Sequence, residues 1–149
     1  MKSIKTWVLI ADGARARVLQ NDGPGRGIHA VDGLVFHGDH SATHDLVSDR
    51  EGRSFSSHGF GRSALEPHSD PHRELKRTFA QQMADMLAHG LEQHAYDRLI
   101  MVAPPVTLGD LRAALPDSVR AKVAGEVGHD LTKTPNNELA AHLKDVLVI

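Results

Sequence analysis

The sequence predicts an α/β fold, a single domain spanning residues 1–149 with a mixed sheet of about five strands and helices on its faces. Three observations carry that expectation. Residues 99–103, Leu-Ile-Met-Val-Ala, form an unbroken apolar run of strand length, so both faces of that strand need cover. Two proline-led stretches, starting at Pro71 and Pro135, place apolar residues at three- and four-residue steps, as surface helices do. Ahead of both, residues 6–36 read as three short strands separated by glycine-bearing turns, an antiparallel meander.

In order, residues 6–11 are a buried first strand, closed by the turn dipeptide Asp12-Gly13. Residues 14–18 alternate small apolar residues with Arg15 and Arg17, the pattern of a strand with one wet face. Residues 21–27 are rich in glycine and form a loop. Residues 28–36 make the third strand, in which Asp32-Gly33 predicts a bulge.

Residues 37–72 then read as a long loop rich in His, Gly and Ser, holding six of the eleven histidines and more acidic than basic residues. Asp70-Pro71 is a cap-plus-proline start, and Leu75, Phe79, Met83, Met86, Leu87 and Leu91 form the apolar face of the main helix. After the 99–103 strand, Pro104-Pro105 ends the ladder. Thr107 is expected to cap a short helix with Asp110 in its first turn and Leu108, Leu111 and Leu115 inward. Pro116 starts a further turn, residues 122–127 form an edge strand, and Thr134-Pro135 opens the closing helix with Leu139, Leu143, Val146 and Leu147 on its apolar face. With the first and 99–103 strands as a parallel centre, this order is the ribonuclease H-like arrangement.

A net charge of -2 gives no global attraction to nucleic acid or anionic lipid, so any basic site is local and there is no DNA signature. The absence of cysteine excludes disulfides, thiolate zinc sites and thiol nucleophiles. The apolar run 7–11 is shorter than the roughly 7–15 residues of an export segment, and nothing approaches the roughly 20 needed to insert in a membrane. These readings predict a soluble, cytoplasmic protein with no cofactor.

Three constellations carry chemistry. His37, His40 and His44, with Asp39 and Asp45 beside them, are weak metal candidates, because a loop does not hold imidazoles on one face. Asp12 and Glu74 invite a two-metal nuclease, but the central strand ends in Ala103-Pro104-Pro105 where a carboxylate would be wanted. Arg50 and Arg53 in the loop, with Asp130, Thr132 and Lys133 before the closing helix, could hold a phosphate or carboxylate, as could Arg15 and Arg17. Ser-His-Asp catalysis lacks any Gly-x-Ser-x-Gly elbow.

Residues 7–17 (Trp-Val-Leu-Ile-Ala-Asp-Gly-Ala-Arg-Ala-Arg), Gly52-Arg53-Ser54, Gly61-Arg62, the stretch 98–105 and Asp130-Leu131-Thr132-Lys133 give the chain its resemblance to the bacterial host attachment protein family. The resemblance covers nearly the whole chain. It implies a single α/β domain similar to the central domain of archaeo-eukaryotic peptide-chain release factors and a role in attachment to host cells. Peptide release in that superfamily uses Gly-Gly-Gln, and this chain has no adjacent glycines. The expected function is therefore a non-catalytic or regulatory binding module, associated with ribosome or RNA and affecting attachment indirectly. Its candidate ligand residues are Asp12, Arg15, Arg17, Arg50, Arg53, Thr107, Asp130, Thr132 and Lys133. The alternatives are a metal-dependent phosphoester or ester hydrolase using Asp12 and loop histidines, and an exported adhesin.

Overall fold

The computed structural model describes residues 3–38 and 70–149. Its five strands are β1 (Thr6–Ala11), β2 (Arg15–Asn21), β3 (His29–His37), β4 (Arg98–Val102) and β5 (Val123–Val127), in the sheet order β3-β2-β1-β4-β5. The first three form the expected antiparallel meander. β4 lies parallel to β1 on one side and to β5 on the other. The two apolar runs thus make the parallel centre of a mixed sheet, and all of Thr6–Ala11 is buried.

Both faces are covered, as the unalternated composition of β1 and β4 requires. On one, Trp7, Leu9, Leu99 and Met101 meet Phe79, Met83 and Leu87 of α1 (Pro71–Glu92), with Leu108 and Leu111 of α2 (Pro105–Ala114) and Val119 of α3 (Asp117–Arg120). On the other, Val8, Ile10, Leu19, Ile100 and Val102 meet Leu131, Leu139, Leu143 and Leu147 of the C-terminal segment. Each fully buried branched side chain contributes about 2 kcal/mol relative to exposure. The Trp7 ring also stacks on Tyr96 at 4.6 Å, and the Tyr96 hydroxyl donates to the Leu87 carbonyl at 2.6 Å. Burial raises that phenol's pKa to about 12.

Helix α1 starts as its sequence signals indicate: the Asp70 carboxylate accepts from the His72 amide at 3.0 Å and Pro71 occupies the first turn. It ends in paired hydrogen bonds, His94 N–H to Leu91 O and Ala95 N–H to Gly90 O, which place His94 in the left-handed region at φ 57°. The predicted irregularity in β3 is present. Arg17 pairs with Val35 and Leu19 with Ala30, so Val18 alone faces residues 31–34, and Gly33 supplies a φ of 81° that other residues resist.

Two helix starts differ from expectation. α2 begins at Pro105 after an N-cap at Pro104, without a side-chain cap, because a proline is preorganised for the first helical position. Thr107 is consequently a buried residue of the first turn rather than its cap. Asp110 falls in the second turn, where it takes both Arg73 guanidinium nitrogens, at 2.6 and 2.5 Å, and pins α2 to α1. At the C-terminus Thr134 caps nothing: Pro135 precedes a 3-10 turn (Asn136–Glu138) and α4 spans only Leu139–Leu143. Asn136 and Asn137, poor helix formers, occupy the turn where the helix was expected to begin. Val146 and Leu147 still reach the core beyond its end.

The loop expected over 37–72 is shorter at both ends, since β3 runs through His37 and α1 starts at Pro71. Its remainder, 39–69, lies outside the described residues. Among the described residues no helix is long and apolar enough to cross a membrane.

Candidate functional site

A cleft of about 740 Å³ opens at the carboxyl ends of β1 and β4. Its position follows from the topology. β1 turns back into β2 on one side, whereas β4 leads through α2 and α3 to β5 on the other, so the two chains part company and leave a crevice between them. The β1–β2 turn supplies Asp12, Gly13, Ala14 and Arg15; the start of α2 supplies Pro104, Val106 and Thr107. His37 and Gly38 come from the end of β3, and Lys76 from the second turn of α1.

Asp12 builds the turn. One carboxylate oxygen accepts the amides of Ala14 and Arg15, at 2.8 and 2.7 Å; the other accepts from the Arg15 guanidinium at 3.3 Å. Burial by itself would raise its pKa, but the two amide hydrogen bonds and the charge of Arg15 outweigh that and hold it below the ordinary carboxylate value. Gly13 lets α1 come close beside it, since a Cβ there would stand 2.7 Å from Cγ of Lys76 and displace that side chain. The lysine stem thus lies against the turn, and Lys76 lines the cleft. Arg15 is half exposed, and among the described residues Asp12 is its salt-bridge partner. His37 is the direct cross-strand neighbour of Arg15.

Arg17 does something different. On the face opposite α1, its Nε donates to Asn136 Oδ1 at 2.9 Å, Nη1 to the Thr132 carbonyl at 2.8 Å and Nη2 to the Thr134 carbonyl at 2.5 Å. Partial burial lowers its pKa without discharging a group this basic. Those bonds fasten the 130–135 loop to β2. Within that loop the Asp130 carboxylate accepts the Thr132 amide at 2.9 Å and its hydroxyl at 2.5 Å. The Thr132 hydroxyl also lies 3.4 Å from Asp12 Oδ2, but its single proton is better placed on Asp130.

The structure therefore brings Asp12, Arg15 and Thr107 together in one cleft with His37. Thr132 touches its edge through Asp12, Arg17 and Asp130 are engaged in holding the neighbouring loop, and Lys133 is exposed on that loop without lining the cleft. Arg50, Arg53, His40 and His44 lie outside the described residues. Lys76 was missed by sequence reasoning. It stands on the polar side of an amphipathic helix, and only the close approach of α1 to the Asp12-Gly13 turn distinguishes it from its neighbours. Among the described residues no three His, Asp or Glu side chains are grouped so as to hold a metal ion.

Residues 7–143 match the family model described as "Protein required for attachment to host cells". The match takes in both walls of the cleft and the loop fastened by Arg17. No curated protein matches the chain.

Proposed function

We propose, for a chain that belongs to the family of proteins required for attachment to host cells, that the domain is a non-catalytic binding module whose cleft takes a phosphate-bearing ligand. RNA, free or on the ribosome, is the partner class that fits this reading. It places the protein in the cytoplasm, with host attachment affected through what the cleft binds. The observation that carries it is the composition of the cleft: Arg15 and Lys76 line it with a single carboxylate, Asp12, one oxygen of which accepts two turn amides while the other pairs with Arg15. A volume of about 740 Å³ also suits a group of nucleotide size, within the ordinary range of small-ligand sites. The likeness to the central domain of peptide-chain release factors that the family resemblance implies favours the same choice of partner.

The test is fluorescence anisotropy of a labelled single-stranded oligouridylate with the full chain. Two phosphates neutralised by Arg15 and Lys76 predict a logarithmic salt slope of about -1.4, or roughly sevenfold weaker binding on going from 50 to 200 mM salt. Lys76→Gln should weaken binding and reduce that slope by about 0.7. Failure to bind at 50 mM salt, or binding indifferent to both Lys76→Gln and Arg15→Gln, overturns the reading.

A further inference from the structure

We propose that the ligand is a strand rather than a single nucleotide: a phosphodiester chain that passes from the cleft across the Arg15–His37 pair into a second hollow beside it. The inference rests on the phosphate-binding reading above and specifies its ligand.

The second hollow, about 120 Å³, lies on the sheet face opposite α1 and is lined by Ile10, Arg17, Val35 and Thr132. Arg15 and His37 line both spaces, and they sit directly across from each other on β2 and β3. They therefore form one rim that a bound molecule can cross without leaving the protein. Cationic side chains follow the path: Lys76 lines the cleft, Arg15 stands on the rim beside its partner Asp12, and Arg17 lies in the wall of the hollow, where its donors are taken by loop carbonyls and it contributes charge rather than a direct contact.

Apolar surface follows the same path. Of four exposed large hydrophobic residues among those described, Val106 at 60% lies in the cleft and Val35 at 61% in the hollow. A free phosphate has no use for such surface, whereas the sugar and base faces of a nucleotide chain do. The unequal volumes fit a nucleoside in the larger space and a phosphate with its sugar in the smaller.

The test measures uridine monophosphate and oligouridylates of two, three and six residues against the native chain, Val35→Glu and Val35→Lys. Val35 is exposed and contributes no contact to Asp12 or Lys76, so both variants should fold. For the native chain, affinity should rise at least about tenfold from the monophosphate to the trimer and level off beyond it. Val35→Glu should weaken the trimer and hexamer about fivefold or more while changing the monophosphate less than about twofold; Val35→Lys should strengthen the oligomers. Equal affinity for monophosphate and hexamer overturns the strand proposal and leaves the phosphate site standing. So does a change at Val35 that affects monophosphate and hexamer alike. A glutamate hexapeptide binding as tightly as the hexanucleotide replaces RNA by an acidic peptide. If no nucleotide of any length binds, the site reading falls and the strand proposal with it.

Discussion

Arg17→Met offers a sharp test of how the 130–135 loop is held. The substitution keeps most of the aliphatic stem and removes donors that reach Asn136, Thr132 and Thr134, all more than a hundred residues away in sequence. A charged donor to a buried acceptor contributes about 1.5–3 kcal/mol, but these carbonyls are only partly buried and water can replace the guanidinium. About 1 kcal/mol for each of the two carbonyl bonds, and little for the exposed contact to Asn136, gives a loss of about 2 kcal/mol. For a chain of this size that lowers Tm by about 4–8 °C. Urea unfolding followed by circular dichroism measures the loss, and Arg17→Lys separates its causes. An ammonium keeps the charge but cannot reach both carbonyls in one planar fork, so lysine should restore less than half of the stability. Local loosening should also show as faster amide exchange at Thr134, whose N–H bonds the Leu131 carbonyl at 3.0 Å. A Tm within about 1 °C of the parent, or full rescue by lysine, refutes the clamp and returns Arg17 to the role of a solvated charge.

Two further predictions follow from local geometry. His94→Gly should stabilise the domain by about 0.5–1 kcal/mol, because glycine adopts the left-handed φ of 57° without the Cβ penalty; a lower urea midpoint would show that the imidazole contributes something this geometry does not reveal. Asp12→Asn should cost stability in a pH-dependent way. The folded-state pKa of Asp12 is lowered, so its contribution is fully present above the unfolded value and is lost as pH falls through the folded one. Parent and variant should therefore differ in Tm at pH 7 and converge as the pH falls below the ordinary carboxylate range, and a gap that stays constant rules out the carboxylate as its source.

What could be read from the chain was what its own neighbours determine. The run 99–103 required two covers because it does not alternate, and β4 has them. Asp70-Pro71 is a complete local start signal, and α1 begins there. Thr107 and Thr134 were misplaced by the same local rules. At Thr107 a proline two positions before takes the first helical position, and at Thr134 the asparagines after Pro135 form a 3-10 turn so that the α-helix begins only at Leu139. The cleft was only half legible. The Asp12-Gly13 turn marks one wall, but Lys76 enters because a helix more than sixty residues later packs over Gly13. Arg17 and Arg15 look alike in a period-two pattern; only the fold sends one to carbonyls of the last loop and the other to the cleft.

Asp12 also bears on the proposed reading. A general base working near neutral pH would need a carboxylate whose pKa is raised rather than lowered. One oxygen already accepts two amides that define the hairpin, and the other pairs with Arg15, an arrangement that lowers the pKa and suits a fixed anion. Drawing the first oxygen away would release the Ala14 and Arg15 amides and loosen the strand entry that positions Arg15 itself. The carboxylate is thus tied to the geometry of the cation beside it. That dependence suits the proposed binding reading: the acid holds the turn, and the turn carries Arg15 to a cleft that Lys76 also lines.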